Sequence, residues 1–373
     1  MSSPTLDVAT LERLVAAAVT APSLHNSQPW RFGLEPDTRT IKISAATHQA
    51  LPHTDPVGRA VHLSVGCAVL NLRVAAVHFG WEPVTRLLPS PAHPALLATV
   101  RLAGAVRTTV SPGRYETLWR RHSSRLPFSD RPLPVALLTE LSEAAHAEGG
   151  RLFFPDEQGT DRILRATWEA ERRNRMDADR AAESRHWLRR PGSSATGVPQ
   201  EALGPQDALD GIPMRDFGAH RHPAVLPARS FERHPHLAVL CTAHDRRADW
   251  LRAGQALERV LLLATAHGVR TSLLHQGLEW TDLRGLLSGG RNEAGHHVQM
   301  VLRMGYGPEG SPSPRLGVAD VMESAQRRVF GPCRCEGRTG RSAVRYRHDR
   351  AQGGHLEQCP PHGGALADRW RRP

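Results

Sequence analysis

Ten residues near the N-terminus, Ala21-Pro22-Ser23-Leu24-His25-Asn26-Ser27-Gln28-Pro29-Trp30, hold the densest set of chemically useful side chains in the sequence. Pro22 and Pro29 restrict the backbone, while Ser23, His25, Asn26 and Gln28 bring hydrogen-bonding groups close together. A polar bend at a helix end suits a planar, hydrogen-bonding ligand. A second group lies at Arg121-His122-Ser123-Ser124-Arg125. Two guanidiniums with a hydroxyl between them can clamp a dianion, because arginine grips phosphate oxygens through paired, charge-assisted hydrogen bonds. Each such bond contributes roughly 1.5–3 kcal/mol when partly desolvated. The same run also reads as an exposed basic stretch ahead of Pro127. His25 suits two roles, proton donor to a reduced substrate or structural hydrogen-bonder in the bend; a neutral imidazole, with one donor and one acceptor, fits the second.

These groups need elements to position them. The bend follows an apolar helical stretch with Leu11, Leu14, Val15 and Ala18 on one face. Two longer stretches, Ser64–Gly80 and Arg252–Gly268, are apolar nearly all round and are expected to be central buried helices. Each has an early glycine (Gly66, Gly254) and ends, after the same interval, on a glycine (Gly80, Gly268) that suits a left-handed helix stop. Leu11, Leu14, Ala17 and Ala18 match Leu138, Leu141, Ala144 and Ala145, and the expected strand Leu96–Leu102 matches His297–Arg303. Each copy thus reads helix, strand, buried helix, strand. The pattern predicts an α+β fold in two tandem copies, residues 1–110 and 111–329, forming an intrachain pseudo-dimer around the long helices. Residues 168–231 stand outside the repeat: a charged helix, Trp168–Arg190, then a stretch rich in Gly, Pro, Ser and His. That insertion reads as a solvated helix and loop or as a lid over a ligand. Residues 330–373, rich in Arg, Gly and Pro, are expected to be disordered. Cys333, Cys335 and Cys359 lack a tight C-x-x-C pair, so no metal site is expected there.

The net charge of +11 comes almost entirely from arginine; Lys42 is the sole lysine. Much of the excess sits in the C-terminal tail, and no arginine run is interleaved with aromatics, which argues against a nucleic-acid partner. No apolar run approaches the roughly 18 residues that span a bilayer, so no membrane partner is expected. Met1–Thr10 has no basic residue ahead of an apolar run, which points to a cytoplasmic protein without a secretory signal. Cys67 and Cys241 lie in apolar stretches and read as small buried hydrophobes, and an odd cysteine count argues against a disulfide scaffold.

The decapeptide resembles the APSxxNxQPW signature of flavin-dependent nitroreductases, and Arg121–Arg125 resembles the RHSxK/R motif of that superfamily. Leu302–Gly307 and Ser313–Val321 resemble its closing strand, glycine turn and final segment. One elbow and one clamp, in different halves, make the chain similar to the fused, two-copy Acg-type nitroreductase-like proteins of actinobacteria. The resemblance implies an FMN cofactor held in one site built from both halves. Arg121, Arg125 and Arg315 would hold the phosphate, and Ser123 the phosphate or ribityl hydroxyls. Ser23 and Asn26 would bond the flavin ring or ribityl chain, with Pro22 fixing the backbone. Gln28 would do the same or brace the turn; Gln276 and Gly277 would lie near the flavin N5 edge; Trp30 would pack in the core. The implied activity is electron transfer from NADPH or NADH to a nitroaromatic, quinone or similar small acceptor, with the chemistry carried by FMN and His25 the one side-chain candidate. The alternative is a catalytically weak protein that sequesters FMN under a lid. A single chain would act as a pseudo-dimer, with further association open.

Overall fold

The computed structural model describes residues 6–105, 114–189, 194–215, 217–218, 227–287 and 296–323. The tail and its three cysteines lie outside the described residues. In chain order the elements are α1 (Val8–Val19), β1 (Trp30–Glu35), β2 (Thr40–Ala45), α2 (Arg59–His78), β3 (Trp81–Leu87), β4 (Leu96–Ala105), α3 (Arg114–Arg120), α4 (Val135–His146), β5 (Arg151–Phe153), α5 (Glu157–Met176) and α6 (Ala178–His186). Then come four two-residue strands, β6 (Leu188–Arg189), β7 (Val198–Pro199), β8 (Gln206–Asp207) and β9 (Ala228–Arg229). The chain continues through β10 (His236–Thr242), α7 (Arg247–Ala266), β11 (Arg270–Leu273), α8 (Thr281–Leu286), β12 (His297–Gly305) and α9 (Val318–Val321).

Two four-stranded antiparallel sheets form, in the orders β1-β2-β4-β3 and β11-β12-β10-β5. The expectation of one strand on each side of a buried helix is too spare. In the first sheet β1 and β2 pair through Phe32 opposite Ile43, and β3 pairs β4 through Thr85 opposite Val100. Exposure alternates along β3, but Pro83 and Thr85 stand on its covered face and Val84 on its exposed one, so its period-2 signal is weak in the sequence.

The two long helices cross at the glycines that the sequence pattern singles out. A Cβ on Gly66 would lie 2.3 Å from the Leu251 carbonyl oxygen, and one on Gly254 would lie 2.1 Å from that of Leu63. Only hydrogen at both positions lets the backbones meet. Gly80 and Gly268 follow these helices with φ of 86° and 72°, the left-handed stop that glycine permits. α2 corrects one sequence expectation: by length and composition it is apolar enough to cross a membrane, but 78% of its apolar window is buried inside the protein. α1 packs on α2 and α4 on α7, and Leu14, Ala17 and Ala18 of α1 and Leu141 and Ala145 of α4 are fully buried. Cys67 and Cys241 are free thiols in this core.

The insertion differs from the single helix expected over Trp168–Arg190. The helix starts earlier, at Glu157, and breaks at Asp177, whose extended backbone lets its carboxylate cap α6 by accepting from the Asp179 and Arg180 amides. Nor is it a purely solvated appendage: α5 packs against the short turn Gln276–Glu279 and against α8.

Candidate functional site

The bend after α1 is built under strain. His25, Asn26 and Gln28 have φ of 54°, 52° and 53°, a left-handed region that side chains other than glycine seldom adopt. Local bonds hold it: the Ser23 hydroxyl accepts from the Gln28 amide at 2.9 Å, and Trp30 N–H donates to the Gln28 carbonyl at 2.8 Å. Distant segments clamp it. The Asn26 carboxamide donates to the Gly197 and Pro314 carbonyls at 2.9 and 3.0 Å. Gln28 donates to the Ala195 carbonyl at 2.7 Å and accepts from the Leu316 amide at 2.9 Å. Trp30 is fully buried in the core.

The arginines arrive from the other half. Arg121, just past α3, donates to the Thr20 carbonyl at 3.0 Å, and Arg315 donates to the same oxygen at 3.2 Å. Thr20 caps the C-terminus of α1, where the helix dipole favours cations. Arg315 also donates to Asn26 Oδ1 at 2.9 Å, so it joins the bend to the arginine pair directly. Ser123 and Ser124 run along β11: Ser123 bridges Thr271, and the Ser124 amide donates to the Thr271 carbonyl at 2.8 Å. Gly310 lies on this run, since a Cβ there would sit 2.3 Å from the Ser123 carbonyl oxygen.

These segments enclose a cavity of about 1180 Å³ including its open mouth. From the bend, Pro22, Ser23, His25 and Asn26 line it; from the second half, Arg121, Ser123, Arg125, Gln276 and Arg315 do. Leu63, Leu257 and Met300 give it an apolar side. Two expected site residues do not line it. Gln28 is fully buried, and both ends of its amide are used by main-chain partners, so it braces the turn. Gly277 is turned toward Leu287, with a Cβ there 3.1 Å from Leu287 Cδ1. Gln276 lines the cavity while donating to the Pro213 carbonyl at 3.0 Å.

The electrostatics favour an anion. Among the described residues no carboxylate forms an ion pair with Arg125 or Arg315. Burial and the neighbouring Arg121 pull the Arg315 pKa down to about 9; burial and Arg215 pull that of Arg125 down to about 10. Both values still leave cations at neutral pH, though costly ones. Burial, Arg121 and Arg315 hold His122 neutral, with a pKa down at about 4.

Reading the sequence left the insertion as either a solvated appendage or a lid and singled out none of its residues that stand in the wall. Met214, Arg215 and Phe217 line the cavity, with Val198 and Ala202. Arg215 donates to His25 Nε2 at 2.6 Å and to Glu279 Oε1 at 2.6 Å. His275 donates from Nδ1 to Glu279 at 3.0 Å, and Arg59 on α2 donates to His275 Nε2 at 3.1 Å. Burial disfavours the Glu279 carboxylate, but Arg215 and His275 outweigh it and hold the pKa down at about 2. Burial pushes the His275 pKa down to about 4 and that of His25 well below the usual histidine range, with Arg215 adding to the latter. His25 therefore stands as a neutral imidazole accepting from Arg215 at Nε2, with its ring centroid 4.9 Å from that of Phe217 and its buried Nδ1 without a hydrogen-bond partner among the described residues. Arg215 carries no motif, and one arginine in so arginine-rich a chain gives no signal of its own.

No family model matches the chain. It is similar to a Mycobacterium tuberculosis protein named "Putative NAD(P)H nitroreductase Rv3131", 31% identical over 324 residues that cover 85% of this chain and 92% of the relative. It is also similar to the M. tuberculosis protein named "Putative NAD(P)H nitroreductase acg", 28% identical over 305 residues covering 82% of this chain and 91% of that one. Among solved structures, a nitroreductase with bound FMN from Bacteroides fragilis aligns at 16% identity and a TM-score of 0.34, covering 54% of this chain and 92% of that one. The chain belongs to the nitroreductase family of these mycobacterial relatives.

Proposed function

We propose that this chain is an FMN-binding oxidoreductase of the nitroreductase type, passing electrons from NADPH or NADH to a nitroaromatic, quinone or similar small acceptor. One observation carries the reading: the bend of the first half and the arginines of the second converge on one cavity, with Arg315 bonded to Asn26 and sharing the Thr20 carbonyl with Arg121. The residues present fit the cofactor. Arg121, Ser123 and Arg315 would hold the phosphate, and the apolar side with Leu63, Leu257 and Met300 would take the ring. Arg125 reaches a different part of the wall, 5.6 Å from the Phe217 ring and bonded to the Ala202 carbonyl at 2.7 Å, and would face the ribityl chain or ring edge. FMN, when bound, supplies the redox chemistry; the protein places it and tunes it. The side chains would position the phosphate, keep water off the ring and carry no nucleophile.

The crossing at Gly66 and Gly254, with a four-stranded antiparallel sheet in each half, supports the tandem pseudo-dimer, so that a single chain would suffice for one site. The second reading, an FMN-sequestering protein with little turnover, is favoured by Met214, Arg215 and Phe217 of the insertion standing in the cavity wall. Anaerobic mixing of the purified, flavin-loaded protein with NADPH and with NADH separates the two. Bleaching of the flavin absorbance is the expected result; no bleaching with either nicotinamide would leave the storage reading.

A further inference from the structure

Behind the arginine pair lies a carboxylate that the reading above does not use. Glu258, on α7, is fully buried; neither of its oxygens has an aligned hydrogen-bond partner among the described residues, and the Asn71 amide lies near enough to favour its charged form. Its Oε1 is 3.3 Å from Arg121 Nε, an ion pair without hydrogen-bond alignment. The Nε atoms of both Arg121 and Arg315 are buried without a hydrogen-bond partner. A buried carboxylate with neither oxygen bonded is costly and is retained only against strong positive charge. Arg121 turns one edge to Glu258 and lines the cavity as well, so carboxylate and ligand compete for the same guanidinium.

We propose that Glu258 is the counter-charge of the anion grip: its carboxylate balances Arg121 while the grip is empty and takes up a proton from solvent when a dianion is held, so that anion binding by this chain is proton-coupled. The inference rests on the reading that Arg121 and Arg315 form the phosphate grip. Protonation adds one hydrogen to a Glu258 oxygen and removes one negative charge, which the incoming anion replaces. By reciprocity, a ligand that raises proton affinity is itself bound more tightly where the proton is available. The groups facing Glu258 are Arg121 after α3, Arg315 from the C-terminal segment, and Cys67 and Asn71 on α2. Burial raises its pKa to about 7, with Arg121, Asn71 and Arg315 pulling the other way. Burial and Glu258 keep the Cys67 thiol protonated. His122 also faces Arg121 and Arg315 and is the other group that an anion would drive toward protonation.

The probe is inorganic sulfate, which stays a dianion throughout the range in which Glu258 titrates. Its binding to the full chain is followed by calorimetry at several pH values, in buffers of different ionisation enthalpy. In the wild-type protein, sulfate binding takes up close to one proton per site at pH 8, and the affinity falls by up to about tenfold per pH unit above pH 7. In Glu258→Gln the uptake and the pH slope disappear, and affinity at pH 8 rises. A wild-type protein that binds no sulfate or takes up no proton overturns the proposal; so does uptake that survives Glu258→Gln and is lost in His122→Asn. Infrared difference spectra of the wild-type protein need no variant: sulfate must raise a protonated carboxyl band, and its absence overturns the proposal. FMN binding, read separately by fluorescence quenching, tests the flavin reading alone, since its failure beside proton-coupled sulfate binding leaves Glu258's role standing.

Discussion

The turns after α1 and after α4 are alike in placement and opposite in chemistry. The first, from Thr20 to Trp30, opens onto the cavity and meets Arg121 and Arg315 through neutral acceptors, the Thr20 carbonyl and Asn26 Oδ1. The second carries Glu148, nearly buried, which accepts from Arg73 at 2.6 Å and pairs closely with Arg259. Arg73 is shared further with Gln255 at 2.8 Å. Both sides gather arginines beside the crossing of α2 and α7. On the open side carbonyl and amide oxygens take the arginines' hydrogen bonds, and the carboxylate of Glu258 lies behind Arg121 without an aligned hydrogen bond, which leaves donors for a ligand; on the other side a carboxylate hydrogen-bonds both arginines and fills the place. The difference lies in the acceptor set, not in the number of arginines.

The largest effect is expected from breaking the crossing that both sides share. Gly254→Ala puts a methyl group against the Leu63 carbonyl and Gly66, and should cost more than about 3 kcal/mol or prevent folding. Thermal denaturation of the variant checks this, and an unchanged midpoint would refute the contact. Next comes acid. His275 has a pKa of about 4 against an ordinary 6.5, and Glu279 about 2 against 4.5, so the unfolded chain binds more protons than the fold does. The stability that this pair contributes should be full above pH 6.5 and be lost as the pH falls, first through the histidine window and then through that of the carboxylate; Glu258, with its pKa raised to about 7, acts in the opposite direction between pH 4.5 and 7. The loss over the first window is on the order of 3 kcal/mol. His275→Gln should remove that share of the first window and leave the shares of His25 and His122; an unchanged curve would remove His275 from the account. Arg121→Ala acts on the open side alone. It should weaken FMN by roughly 30–100-fold, about 2–3 kcal/mol, measured by fluorescence quenching. The smallest effect belongs to the closed side: Glu148→Gln should cost about 1 kcal/mol, because Arg73 and Arg259 are partly exposed, and should leave FMN affinity unchanged. Weaker FMN binding in that variant would mean that the sides are not independent.

Much of this contrast was legible in the sequence. The two buried helices announced themselves by being apolar all round, and Gly66 and Gly254 by their equal distance from the closing glycines. The bend and the arginine run stood out because short polar side chains, prolines and alternating guanidiniums are local patterns. For Gln28 the motif left two roles open, and only its partners, the Ala195 carbonyl and the Leu316 amide, settle on bracing the turn; Gly277 stands outside the cavity lining because a motif tells which segment approaches a cavity and not which of its residues reach the wall. Arg215 and Glu258 were invisible for another reason. One arginine in a Pro- and Gly-rich insertion and one glutamate on a long helix have no local pattern, and their meaning comes from partners far away in the chain. The break at Asp177 is an ordinary capping signal, outweighed by the charged helical pattern on either side.

The most direct test of the central claim, one open side and one closed side per chain, is the stoichiometry of flavin binding. Apoprotein titrated with FMN under fluorescence detection should bind one FMN per 373-residue chain, and Arg315→Ala should abolish that single event. Two equivalents per chain, or none, would contradict it.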